Sequence, residues 1–179
     1  KRSGGDLFDL CNIPLDLSKI EAGRITLNAK NFDLHRLLHD VEDMFVLKAD
    51  HKHLHLLFEW DERGPQYVCT DDVKLRQVLI NLLNNAMKFT EEGEIILKIE
   101  DCRLKIEEQD ENSPQSSMFN LQFSISDTGP GIAPEELDTL FEAFVQTKTG
   151  QKFYEGTGLG LPISRRFVQM MGGEIEIDS

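Results

Sequence analysis

The stretch NLLNN places three asparagines within five positions, at Asn81, Asn84 and Asn85, and Lys88 follows one turn later. On a helix advancing about 100° per residue, Asn81, Asn85 and Lys88 stand at i, i+4 and i+7 and form a polar stripe. Leu75, Val78, Leu79, Leu82, Leu83 and Ala86 form a separate apolar face. Asparagine is a weak helix former, so this helix gains nothing local from carrying three. An amide oxygen can ligate Mg²⁺, and an ammonium group can meet phosphate oxygens. The stripe therefore reads either as a metal and phosphate site or as a solvated helix face.

Two glycine-bearing loops lie further along. DTGPGI, residues 127–132, follows the alternating run FNLQFSISD. An aspartate that ends a strand can accept a hydrogen bond from a ligand's exocyclic amine. Gly129 and Gly131 admit positive φ and close approach to the backbone, and Pro130 stiffens the turn between them. An ordinary turn is the competing reading. GTGLGL, residues 156–161, resembles a dinucleotide fingerprint, but it lacks the sixth-position glycine and follows no strand. No Gly-x-x-x-x-Gly-Lys-Ser/Thr loop occurs. What remains is a glycine loop entering a helix N-terminus, which suits a polyphosphate or serves as a plain helix entry.

The elements that must position these groups follow from periodicity. RITLNA alternates from Arg24 and predicts a strand with Ile25, Leu27 and Ala29 on one face. A helix begins in NFDLHRLLHDVEDMF, with Asp33 as N-cap and Leu34, Leu37, Leu38, Val41, Met44 and Phe45 as one buried stripe. HLHLLFEW and QYVCT read as strands, and the asparagine-bearing helix runs from about Asp71 to Lys88. EIILKIE pairs with FNLQFSISD across the polar connection EEQDENSPQSS. APEELDTLF starts a short helix with Pro134 in its first turn. TKTGQKFYEGTG is a flexible segment bounded by glycine. LPISRRFVQMM forms a last helix, stopped by Gly172 and Gly173, and EIEID forms a strand after it. In HKHLHLL, strand alternation would put His51, His53 and His55 on one face, with no carboxylate or cysteine nearby to complete a metal site. His35 and His39 fall on the solvent side of the first helix.

At 179 residues the chain suits one α/β domain with a short appendage. Its formal charge of −13 argues against a nucleic-acid or anionic-membrane surface. Cys11, Cys69 and Cys102 are scattered singly and read as reduced thiols of a cytoplasmic protein. No apolar run approaches the roughly 18 residues of a membrane span, although a longer parent could be membrane-anchored. Residues 1–23, with a Gly-Gly and Pro14, form the appendage, and residues 24–179 the domain.

The order of motifs resembles the ATP-binding catalytic domain of sensor histidine kinases, of hybrid type. Its superfamily includes type II topoisomerases and a heat-shock chaperone family. LRQVLINLLNNAMKFT is similar to the N box, DTGPGI to the G1 box, FEAF to the F box and GTGLGLPISRRFVQMMGG to the G2 box. LDLSKIEAGR looks like the end of a dimerisation helix. The resemblance implies a two-layer α/β sandwich of the Bergerat type: a mixed, mostly antiparallel sheet with helices on one face and ATP between the N-box helix and a lid.

By position, the resemblance makes Asn85 the Mg²⁺ ligand, with Asn81 lining the same site and Lys88 on phosphate. Asp127 would bind the adenine amino group, in a pocket shaped by Gly129, Gly131 and Ile132. Gly156, Thr157, Gly158, Leu159, Gly160 and Leu161 would wrap the phosphates. Phe141 and Phe144 would anchor a lid over residues 145–155, to which Lys148 and Lys152 bring positive charge. The hydrolysing branches of the superfamily carry a glutamate base where this chain has Asn81, and an amide cannot take a proton from water, so rapid ATP hydrolysis is not expected.

The implied partners are a histidine-bearing dimerisation domain and a response-regulator receiver domain, with a homodimeric parent and a monomeric fragment. None of the five histidines stands in the family's acceptor context, so the acceptor is expected on another domain. The family's last strand, after GGEIEIDS, is not found in the sequence. A nucleotide-binding module of a degenerate kinase, without phosphate transfer, is the alternative function.

Overall fold

The computed structural model describes residues 25–61, 64–101, 121–137, 139–142 and 157–179. The N-terminal appendage, the polar connection, the lid, Phe144, Gly156, Cys11 and Cys102 lie outside the described residues. The described elements are β1 (Lys30–Asp33), α1 (Leu34–Lys52), β2 (His55–Trp60), β3 (Tyr67–Thr70), α2 (Asp72–Phe89), β4 (Glu94–Asp101), β5 (Leu121–Asp127), α3 (Pro134–Leu137) and α4 (Gly160–Met170).

β4 lies between β2, to which it is parallel, and β5, to which it is antiparallel. Parallel strands require a crossover, and here β3 and α2 supply it. β1 and β3 form a separate antiparallel pair. Ile95, Leu97 and Ile99 of β4 are buried beneath Leu34, Leu38, Val41 and Phe45 of α1 and Leu79, Leu83 and Ala86 of α2. The alternate residues Lys98 and Glu100 are exposed, so the helices cover one face of a two-layer α/β sandwich. A second cluster joins Val78 of α2 to Leu159, Ile163 and Phe167 and sets α4 beside α2.

Four expectations change. Residues 25–29 of the RITLNA segment form no strand, and the ladder starts at Lys30. β3 ends at Thr70, opposite Lys30, so residues before Lys30 have no strand to pair with. The Asn28 N–H instead donates to Asp71 Oδ2 at 2.9 Å. Met44 is 50% exposed, because α1 buries a narrower stripe than its sequence periodicity suggests.

The three histidines of HKHLHLL do not share a strand face. His51 belongs to α1, His53 takes the left-handed conformation (φ 58°) that ends the helix, and only His55 enters β2. EIEID forms no ladder, although Ile175 and Ile177 alternate as half-buried residues along it. Its end meets the residue 127–132 loop through a single bond, from Ile132 N–H to Ser179 Oγ at 2.6 Å.

Candidate functional site

α2 brings the polar stripe into place because both of its ends are fixed. At its start Asp71, only 2% exposed, accepts bonds from the Lys74 N–H at 3.1 Å and from Lys74 Nζ at 2.6 Å. Burial alone would raise the Asp71 carboxyl. It is outweighed by the Lys74 ammonium and by the Asn28 and Lys74 N–H groups, which hold the carboxyl below its ordinary value. At the far end Lys52 of α1 donates to Met87 O at 2.5 Å, placing a cation at the negative end of the helix.

Asn81, Asn85 and Lys88 are all half-buried along the helix so fixed. The Asn81 Nδ2 lies 3.3 Å from Ser164 Oγ and 3.5 Å from Gly160 O, both on α4. Asn84 turns the other way and accepts from Lys48 of α1 at 3.2 Å. The Asn85 amide makes no hydrogen bond among the described residues, so its oxygen is open to a hard cation such as Mg²⁺. Lys88 Nζ stands 4.7 Å from the centre of the Phe89 ring.

The residue 127–132 loop lies against the C-terminal end of α2. Asp127 Oδ1 accepts from the Gly129 N–H at 2.9 Å and lies 3.4 Å from the hydroxyl of Thr90, which is fully buried. Its Oδ2 has no bond among the described residues, and Asp127 is exposed. A Cβ on Gly129 would fall 2.7 Å from Asp127 Oδ1 and 3.3 Å from Phe89 O, so a side chain there would push the Asp127 carboxylate out of its present position. Gly131 has φ 71°, in the left-handed region.

Thr128 fastens the loop from behind: its hydroxyl accepts from the Glu94 N–H at 3.0 Å and donates to Glu92 O at 3.0 Å. A Cβ on the intervening Gly93 (φ 106°) would collide with that hydroxyl. Thr90, Thr128, Gly93 and Ser164 escaped the sequence reading. The Gly93 turn between helix and strand was the one local signal available; the threonines and the serine matter only through distant partners.

The glycine-bearing entry to α4 is described from Thr157. Gly158 has φ 68°, Leu159 is buried, and no side chain caps the helix. The first intrahelical bond is from the Ile163 N–H to Leu159 O at 3.1 Å. Helix geometry gives the N–H groups of Gly160 and Leu161 no intrahelical partner, and Pro162 has no N–H at all. Oriented donors at the positive end of a helix suit an anion. Phe141 lies beneath the Arg165 guanidinium, 4.5 Å from its ring centre.

The model of the "Histidine kinase-, DNA gyrase B-, and HSP90-like ATPase" family matches residues 70–179. The sensor histidine kinase GacS of Pseudomonas protegens is 39% identical over 180 aligned residues; the match covers 100% of this chain and 18% of that protein. The aerobic respiration control sensor protein ArcB of Escherichia coli is 35% identical, with 97% of this chain and 21% of ArcB covered. Among solved structures, full-length ShkA in complex with AMPPNP superposes with a TM-score of 0.72 at 31% identity, over 93% of this chain and 31% of that one. The catalytic domain of the histidine kinase ThkA, nucleotide-free, gives 0.61 at 30% identity, over 79% of this chain and 82% of that one.

Proposed function

This chain belongs to the histidine kinase-, DNA gyrase B- and HSP90-like ATPase family, and on that premise we propose that it binds Mg-ATP and donates the γ-phosphate to a histidine on a dimerisation domain. The observation that carries the reading is the meeting of two elements 79 residues apart: Asn81 on the polar stripe of α2 touches Gly160 at the uncapped start of α4. In this reading the proposed metal ligand and the proposed phosphate donors lie on adjoining helices.

In this reading Asp127 Oδ2 accepts from the adenine amino group, while its Oδ1 holds the loop in shape. Gly129, Gly131 and Ile132 form the wall of the adenine pocket. Asn85 ligates Mg²⁺, Lys88 meets phosphate oxygens, and the loop from Gly156 through Thr157, Gly158, Leu159, Gly160 and Leu161 wraps the polyphosphate. When bound, Mg²⁺ neutralises charge on the phosphates. The residues themselves contribute position and oriented donors, which account for most of the catalysis of phosphoryl transfer. Asn81 stands where the hydrolysing branches of the superfamily carry a glutamate base, and an amide cannot take a proton from water, which favours transfer over hydrolysis. The proposed partners are the acceptor domain and a receiver domain of a response regulator, in the cytoplasm.

Calorimetric titration with a non-hydrolysable ATP analogue, with and without Mg²⁺, tests the site. Replacing Asp127 by alanine is expected to weaken binding about 10- to 100-fold, the range for a hydrogen bond to a charged group. Asn85→Ala should abolish the gain that Mg²⁺ brings. Unchanged affinity in both variants would overturn the site assignment. Phosphate transfer from labelled ATP to a supplied dimerisation domain tests the reaction, and binding without transfer would favour the degenerate module.

A further inference from the structure

Asn81 stands one turn before the proposed Mg²⁺ ligand, yet its amide nitrogen is directed at α4. Gly160 and Ser164 are i and i+4 on that helix, so the Gly160 carbonyl and the Ser164 hydroxyl lie one above the other on a single face. Asn81 Nδ2 reaches both, at 3.5 and 3.3 Å. A carbonyl oxygen can only accept, so the NH₂ group must face α4, and Oδ1 is turned away from it.

Two donor hydrogens thus meet two acceptors across the first two turns of α4, the helix start that no side chain caps. Ser164 is fully buried, so its hydroxyl reaches no solvent. A Cβ on Gly160 would stand 3.9 Å from Asn81 Cγ, which is ordinary contact, so the glycine there is not what brings the two helices together.

We propose that Asn81 is a positioning residue, a strut between α2 and α4 that holds the first-turn N–H groups of α4 at the distance from Asn85 and Lys88 that a polyphosphate spans, with Ser164 as its buried anchor. The inference rests on the nucleotide reading above. It also gives a reason for the amide at this position: a carboxylate of the same shape has no hydrogen to offer the Gly160 carbonyl and would set two acceptors against each other.

The test is a double-mutant cycle with Asn81→Ala and Ser164→Ala, read in two ways: affinity for a non-hydrolysable ATP analogue at a temperature where all four chains are folded, and thermal unfolding without ligand. Each single variant should weaken binding by about three- to tenfold, the worth of an ordinary hydrogen bond. The double variant should be no weaker than Asn81→Ala alone. Asn81→Asp should weaken binding at least as much as Asn81→Ala.

Ser164 touches no ligand in the proposed site, so an unchanged affinity in Ser164→Ala overturns the proposal. So do additive effects in the cycle. A fall in melting temperature with affinity intact would make the link merely structural and likewise overturn it. If the parent chain binds no nucleotide, the proposed function fails, and additive losses in the unfolding cycle would remove the strut independently.

Discussion

Helices α2 and α4 lie side by side and begin in opposite ways. At the start of α2 a buried carboxylate, Asp71, takes three donors: the Asn28 N–H, the Lys74 N–H and the Lys74 ammonium. α1 follows the same plan more openly, with Asp33 accepting from the Arg36 N–H at 3.0 Å and from Gln66 at 2.8 Å. At the start of α4 the N-cap position is Leu159, which is buried in the core and has no side-chain acceptor. Where a helix start lies away from the polar stripe, the chain supplies its own anion. Where the start faces the polar stripe, no side chain among the described residues caps it, and in the proposed site its donors fall to a ligand.

The largest expected effect that could break this contrast is on stability. Asp71→Ala should cost about 2–4 kcal/mol in urea unfolding, since it removes a helix cap and leaves the Lys74 ammonium, 14% exposed, without its partner. A loss below about 1 kcal/mol would mean that α2 depends on its cap no more than α4 does. Next is the response to ligand. A non-hydrolysable ATP analogue at 100 times its Kd should add about 2.7 kcal/mol of stability. Hydrogen exchange should slow at Gly160 and Leu161 much more than at Lys74, which is already bonded. Equal slowing at both helix starts would erase the distinction.

A smaller effect is expected from pH. The folded-state value of Asp71 lies below its ordinary 3.8, so it contributes stability that is present above that value and lost as pH falls through the lower, folded one. Acid unfolding below about pH 4 should therefore be shallower in Asp71→Asn than in the parent chain. The smallest effect should come from Asp33→Ala. Its carboxyl is likewise held low, chiefly by the Arg36 N–H and then by Gln66, but it is half-buried where Asp71 is buried. Its melting temperature should fall less than that of Asp71→Ala, and a larger fall would reverse the ranking of the two caps.

Legibility in the sequence followed the range of the forces involved. Asp33 was readable as a cap because its acceptor role is completed three residues on, by Arg36. The buried face of α2 was readable because periodicity is a property of the helix itself. Met87, also buried, lies beside that face and was missed. The strand expected of RITLNA failed because alternation shows that a segment can pair without showing that a partner exists: β3 stops at Thr70 and turns directly into the cap of α2. His51, His53 and His55 were misplaced for a related reason, since α1 continues to Lys52 and ends only at the left-handed His53.

The sequence by itself determined the element types around the cleft, the polar stripe on α2 and the glycines whose backbones need positive φ or close approach. These depend on neighbours within a turn or two. Only the tertiary structure decided which atoms are committed to the fold. It pairs Asp127 with Thr90 across 37 residues, Asn28 with Asp71 across 43 and Asn81 with Ser164 across 83. A hydrogen bond requires its atoms within about 3.5 Å. At such separations in the chain, that proximity comes from the packing of helices on a sheet.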